Sequence, residues 1–214
     1  MKPRLLDLFC GAGGCAVGYH RAGFDVVGVD IAPQPNYPYE FHQADALDPP
    51  VLYDEFDAIH ASPPCQAFSI ATMFHGRDKT HVDLVDPVRR LLAASGLPWV
   101  IENVPGAPIR ADVKLCGEMF GLGVHRHRHF ETDGFFVMQP PHSRHHLKGA
   151  ATNTETREGY ARGVYGHLSD RAGASEAMGI GWMTSAELAQ AIPPAYTEHI
   201  GGYLLSAITA QVTA

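Results

Sequence analysis

No uninterrupted apolar stretch approaches the roughly 18 residues that a membrane-spanning helix requires, although hydrophobic residues make up 45% of the 214 positions. Cysteine is scarce as well. The four thiols, at positions 10, 15, 65 and 116, show none of the C-x-x-C spacings of zinc or redox sites. They are also too few for a disulfide framework, so reduced thiols are expected. A basic excess is missing: the net charge is −7, which argues against a protein that coats nucleic acid through massed Lys and Arg. The opening residues Met1-Lys2-Pro3-Arg4 run into an apolar segment without a signal-type hydrophobic region or cleavage site, so cytoplasmic residence is the expectation. The length admits one ordinary domain with a small appendage and excludes a second large one.

What charge there is lies unevenly. Acidic residues exceed basic ones up to Val104, whereas from Pro105 to Asp170 the two nearly balance and seven of the thirteen histidines are added. If nucleic acid binds, the middle of the chain is where it binds.

Apolar runs end repeatedly in polar or glycine-rich turns. Leu5 to Phe9 reads as a strand, the turn Phe9-Cys10-Gly11-Ala12-Gly13-Gly14 follows, and Ala16 to Ala22 is helix-compatible. Val26 to Asp30 is a second strand, closed off by the proline-rich stretch Pro33 to Pro38. Phe56 to Ala61 and Pro98 to Glu102 read as further strands, with a helix over Val85 to Ala94 between them. Alternation of this kind predicts a mostly parallel, doubly wound sheet. Residues from about Phe135 to Arg171 are rich in His, Arg, Gly, Thr and Ser and lack periodicity, which predicts loops or a small irregular subdomain. Regular structure resumes where Thr184-Ser185-Ala186-Glu187 forms a capping series for a helix ended by Pro193-Pro194, and a last helix is predicted from Ala195 to Ala210.

Three features carry chemistry. Glycines between a strand and a helix let a ligand approach backbone and helix N-terminus, and Asp30, at the end of the next strand, suits a ribose hydroxyl. That pair fits NAD as well as S-adenosylmethionine. Asp45 stands where a third strand would end and is placed to accept from an adenine amino group or to sit in a surface turn. In Ser62-Pro63-Pro64-Cys65-Gln66-Ala67-Phe68-Ser69 two prolines fix the backbone and present a thiol at a strand-end loop, where open parallel sheets place their chemistry. Glu102-Asn103-Val104 ends another strand, and a carboxyl there can be kept protonated by desolvation and serve as an acid.

Taken in order, Asp7 to Gly14, Val29-Asp30, Ser62 to Ser69 and Glu102-Asn103-Val104 resemble the motifs of the DNA cytosine-5 methyltransferase family. The resemblance implies a Rossmann-like class I S-adenosylmethionine-dependent fold, with helices on both faces of a mostly parallel sheet and a small irregular recognition region. It implies a core over residues 1–130, a reduced recognition region over 131–181, and C-terminal helices over 182–214 that return to the core. Cys65 becomes the nucleophile on cytosine C6 and Glu102 the proton donor at N3. Arg126 and Arg128 match the alternating arginines that hold the base and its backbone, although Val124 replaces the usual Gln. Asp7, Phe9, Gly11, Gly13, Gly14, Asp30, Ile31, Asp45 and Pro63 fall at the S-adenosylmethionine positions. Ala191 to Gly201 resembles the family's last motif, and Pro193 to Tyr196 serve either the cofactor or helix-start packing.

The implied partner is DNA, with no membrane partner and with a monomer or weak homodimer as the expected state. The compactness resembles phage-borne members, which would act in the bacterial host cytoplasm and belong to the chemistry of restriction-modification. The same chemistry on RNA or free cytosine nucleotides, and a catalytically idle binding module, are the competing readings. The histidines at 125, 127, 129, 142, 145 and 146 invite a metal, but their spacing is not that of a known finger and Cys116 is the single thiol at hand. No metal is therefore expected there, and a polar, phosphate-contacting loop is.

Overall fold

The computed structural model describes residues 2–65, 82–142, 145–149 and 158–212. The sheet is built from β1 (Arg4–Leu8), β2 (Asp25–Asp30), β3 (Glu40–Gln43), β4 (Ala58–Ala61), β5 (Trp99–Asn103), β6 (Val113–Leu115) and β7 (Arg128–Asp133). Their spatial order is β3-β2-β1-β4-β5-β7-β6. The first five in that order run parallel, whereas β7 lies antiparallel to both β5 and β6. The described helices are α1 (Gly14–Ala22), α2 (Val85–Ser95), α3 (Arg171–Met178), α4 (Ser185–Gln190) and α5 (Pro194–Val212).

Strand periodicity sorts the side chains between two layers. Leu6, Leu8, Val27, Val29, Ile59, Ala61 and Ile101 form one apolar face, covered by Val88 and Leu92 of α2. The opposite face carries Leu5, Val26, Ala58, Val100 and Phe130 and is covered by α1 and α5 through Tyr19, Tyr196, Ile200 and Leu204. Helices on both faces of a mostly parallel sheet are the expected doubly wound arrangement. The two covering helices touch almost backbone to backbone: a Cβ on Gly18 would collide with Thr197 and Pro194, and one on Gly201 would lie 2.6 Å from Ala22 Cβ. Thr197 Oγ1 donates to the Cys15 carbonyl at 2.8 Å across the same seam.

Four strands and four helices stand close to their expected places, and the differences have local causes. α1 begins at Gly14, earlier than Ala16, because Gly13 takes up φ 84° at the cap and frees the turn to tighten. β3 stops at Gln43, short of Asp45. The thiol-bearing loop is described as far as Cys65, so Gln66 to Ser69 lie outside the described residues. β6, β7 and α3 were not read from sequence. β7 runs from Arg128 to Asp133, across residue 130. Among the described residues, 135–170 hold no helix or strand, with one isolated bridge between Lys148 and Tyr160. A third apolar cluster, which includes Val124, Val164, Leu168, Met178, Ile180, Met183 and Leu188, packs this later segment against Ala12 of the glycine turn.

Candidate active site

On the face covered by α1 and α5, the period of two places Asp7, His60, Glu102 and Arg128 along one slanting row: Asp7 pairs with His60, Glu102 stands two residues beyond His60's partner Val100, and Arg128 two residues before Glu102's partner Phe130. Every one of these lies toward the carboxyl end of the parallel strands, except Arg128, which reaches the same end by starting an antiparallel strand.

At the glycine-turn end, Phe9 and Gly11 hold φ of 57° and 49°, a left-handed backbone that is easy for glycine and strained for Phe9. The space above Gly11 is open: nothing lies within 4 Å of where a Cβ would be. Gly13 is the reverse case, because a Cβ there would come within 2.8 Å of Pro38. Gly14 begins α1 against the Ile192 backbone, so the last motif packs onto the turn. The Trp182 indole N–H donates to the Ala12 carbonyl at 2.9 Å and holds the turn from the other side.

Asp30 accepts from the Gly11 amide at 3.0 Å and from the Ala32 amide at 2.9 Å, which fixes its carboxylate beside the turn. Asp7 has no such arrangement. It is fully buried, and neither carboxylate oxygen has a partner among the described residues. Burial, helped by the nearby Asp30 charge, pushes its pKa well above the usual carboxylate range. Ile31 projects into solvent just past Asp30, and Gln43 donates to its carbonyl at 3.2 Å. Asp45 is exposed and accepts from the Leu47 amide at 2.9 Å, a turn role.

At the other end, Pro63 is buried and its carbonyl accepts from Asn103 Nδ2 at 3.1 Å. That bond ties the loop of Cys65 to the strand of Glu102. Glu102 is 5% exposed, and its Oε1 forms an ion pair with Arg128 Nε at 3.0 Å. Burial nevertheless outweighs Arg128, a hydrogen bond with Ser62 and Arg126, and the carboxyl is held above its ordinary pKa. The Cys65 thiol is raised too, by burial and then by the Glu102 charge, while Arg128 and Arg126 pull it back. A buried acid with a raised pKa beside a thiol flanked by cations is equipped for proton donation and for nucleophilic attack.

Arg126 stands differently from Arg128. Its backbone has a left-handed φ of 34°, and Nη1 and Nη2 donate to the carbonyls of Val164 at 2.6 Å and Ala189 at 2.9 Å. Desolvation and the Arg128 charge push its guanidinium down to about 9. Tyr196 Oη donates to the Arg126 carbonyl at 2.9 Å, which pins the strained turn and gives this tyrosine of the last motif a structural part.

Behind Glu102 lies a polar chain that the sequence did not reveal. Tyr19 Oη is 2.9 Å from His60 Nδ1, and His60 Nε2 is 2.9 Å from Ser62 Oγ, the residue that bonds Glu102. His60 is completely buried, and desolvation lowers it to about 3, so the ring is neutral and passes one hydrogen-bond direction along the chain. The available signal was a lone polar residue inside Ala58-Ile59-His60-Ala61, two positions before Ser62 and therefore on its face.

The mostly parallel sheet with helices on both faces is the Rossmann-like fold of class I methyltransferases. Residues 3–109, half of the chain, match the family model described as C-5 cytosine-specific DNA methylase. The chain belongs to that family. It is 32% identical over 125 residues to the type II methyltransferase M.AquIA of Picosynechococcus sp., covering 50% of each chain. It is 29% identical over 115 residues to the type II methyltransferase M.DdeI of Desulfomicrobium norvegicum, covering 48% of this chain and 28% of that one. The chain thus spans half or less of the length of these curated relatives. Two solved structures share the fold over its whole extent at 12% identity. They are the Entamoeba histolytica methyltransferase EhMeth, with a TM-score of 0.61 over 96% of this chain and 98% of that one, and S. pombe Dnmt2, with a TM-score of 0.59 over 100% of both.

Proposed function

We propose that the chain methylates C5 of cytosine in DNA through a covalent bond between Cys65 and the base. The observation that carries this reading is Glu102, a buried carboxyl held above its ordinary pKa and fixed by Arg128 at 3.0 Å, in the row that ends beside Cys65. S-adenosylmethionine, when bound, supplies an electrophilic methyl group on a sulfonium. The residues present fit it: Asp7 offers a buried carboxylate without a partner, Gly11 leaves open space over the turn, and Asp30 is fixed for the ribose hydroxyls. Phe9, Gly13, Gly14, Ile31 and Pro63 shape the remainder of that cradle, and Asp45 stands at its rim.

In the reaction the Cys65 thiol gives up its proton to solvent and its sulfur bonds to C6. Glu102 delivers a proton to N3, so the electron pair displaced from the C5–C6 double bond is stabilised at C5. After C5 has taken the methyl group, its proton passes to a solvent base, the C6–S bond breaks to release the Cys65 thiolate, and N3 returns its proton to Glu102. Arg128 orients Glu102 and lowers the cost of the thiolate. Arg126 works as a positioning residue through its carbonyl contacts, and its buried Nε, without a partner among the described residues, is left for the substrate side. The target base has to leave its stack to reach a thiol at this depth.

We assign recognition to residues 131–181, a segment long enough to carry a few base readers, so a site of about two to four base pairs is expected. The four free cysteines suit a cytoplasmic setting, and no described helix is long and apolar enough to cross a membrane. A labelled-methyl transfer assay on duplex DNA, single-stranded DNA, RNA and dCMP tests the function. Transfer to DNA at cytosine supports it, transfer only to RNA or dCMP changes the substrate, and no transfer with retained cofactor binding leaves a binding module.

A further inference from the structure

The histidine-rich segment, scattered in sequence, converges in space. Cys116 follows β6, His127 precedes β7, and His142 and His145 form an H-x-x-H pair on the segment after β7. One ligand atom from each of the four lies within 4.8 Å of the others. Cys116 Sγ is 3.5 Å from His145 Nε2. That is close to the ligand-to-ligand edge of a zinc tetrahedron with Zn–S of about 2.3 Å and Zn–N of about 2.0–2.1 Å. The three imidazoles meet edge to face, with ring centroids 4.9 to 5.7 Å apart, as rings turned toward a common point do. We propose that Cys116, His127, His142 and His145 bind one zinc ion as a structural clasp.

This proposal departs from the expectation drawn from spacing alone. No local finger pattern exists because three separate pieces of chain supply the ligands, and one thiolate with three imidazoles makes up the four N and S ligands of a tetrahedral site. Binding converts the Cys116 S–H to a zinc thiolate and releases one proton to solvent. The surroundings hold the ligand segment in place: both Glu118 carboxylate oxygens accept from backbone, Oε2 from the His146 amide at 2.9 Å and Oε1 from the Leu147 amide at 2.7 Å, and the His125 ring stacks on His145 at 3.9 Å. Glu118, His125 and His145 form a second cluster, but it is already committed. His125 Nε2 faces the Leu147 carbonyl at 3.2 Å, which only an N–H satisfies, leaving no lone pair there for a metal.

The clasp bears on the active site through His127, whose carbonyl accepts from Arg128 Nη1 at 2.9 Å. The ion would fasten the segment after β7 to the stretch that carries Arg126 and Arg128. This inference rests on the four side chains and not on the methyltransferase reading, so the two fail separately.

The test uses the full chain, purified without a histidine tag from zinc-supplemented cells. Elemental analysis should find about one zinc per chain, as a closed four-ligand site requires. Cobalt(II) titration should give the strong visible bands of tetrahedral coordination together with a thiolate charge-transfer band. Cys116→Ser should remove the charge-transfer band, and the double variant H142A/H145A, at exposed positions, should lose at least tenfold in cobalt affinity with an unchanged circular dichroism spectrum. H129A and H146A should keep the ion. Zinc well below one per chain with featureless cobalt spectra would overturn the proposal. So would binding that survives Cys116→Ser and H142A/H145A but is lost in His125→Ala.

Discussion

The glycine-turn end of the row, around β1 and β2, and the thiol end, around β4, β5 and β7, each bury a carboxylate on the same face of the sheet. Asp7 has no partner among the described residues, whereas Glu102 has Arg128 at 3.0 Å and a polar chain behind it. Both groups are raised by burial. Burial without a partner is expensive, so on the proposed function the Asp7 end is completed by a ligand that supplies the missing donors. The Glu102 end is assembled in advance, as groups that act on a transition state need to be. The proposed function thus uses one end for binding and the other for chemistry.

Substitutions should separate the two ends. Cys65→Ala is expected to lower methyl transfer by more than about 10⁴-fold while S-adenosylmethionine affinity stays within about threefold, as removal of a nucleophile does. Calorimetry alongside single-turnover transfer checks both halves. Loss of cofactor binding in the same variant would merge the ends and break the comparison. Glu102→Gln should reduce kcat by about 10²- to 10⁴-fold, the usual contribution of a general acid. It should also speed alkylation of Cys65 by iodoacetamide at fixed pH, because the charge that raises the thiol is gone. Arg128→Ala should slow alkylation for the opposite reason.

At the other end, Asp30→Ala should weaken S-adenosylmethionine by about 1.5–3 kcal/mol, the range for hydrogen bonds to a charged group, with turnover largely restored at saturating cofactor. Asp7→Asn sharpens the comparison through pH. The folded pKa of Asp7 lies above its unfolded value, so the folded state holds the proton longer, and ionisation above the ordinary carboxylate range opposes folding. The ligand-free variant should therefore melt about 2–4 °C higher near neutral pH, for roughly 1 kcal/mol. That gain should vanish below about pH 4, and scanning calorimetry across pH reads it.

The smallest effect on catalysis is expected at Glu131, which joins β7 to α2. Arg89 donates to its two oxygens at 2.9 Å each, and the Arg110 amide donates at 3.0 Å. Burial opposes ionisation, but these bonds and charges prevail and hold the carboxyl below its ordinary range. Its stabilising contribution is present above the unfolded pKa and lost as pH falls through the folded one. Glu131→Gln should cost about 1.5–3 kcal/mol in denaturant unfolding at pH 7 and leave cofactor affinity unchanged.

The same contrast marks what could be read from sequence. The Asp7 end is continuous: strand, glycine turn, helix and acid follow one another, each set by local backbone requirements. Cys65 and Glu102 were legible because each ends an apolar strand in a short motif. The rest depends on distant partners. In β7, Phe130 and Glu131 are adjacent and both buried, a pattern that makes sense only once Arg89, from another element, neutralises the carboxylate. α3 has a short, mixed sequence, and its one local signal was Asp170, which caps it by accepting from the Gly173 amide. The second strand of hydrogen-bonding logic, Tyr19 to His60 to Ser62, joins residues 41 positions apart and then two. The histidine cluster likewise exists only after folding.

The measurement closest to the central claim is covalent trapping on DNA that carries 5-fluorocytosine, which blocks the loss of the group at C5 and so prevents release of the enzyme. With S-adenosylmethionine present, the parent chain should form a denaturation-resistant complex whose peptide map places the base on Cys65, and Cys65→Ala should form none. An adduct that persists in Cys65→Ala, or one mapped to Cys10, Cys15 or Cys116, would contradict the assignment.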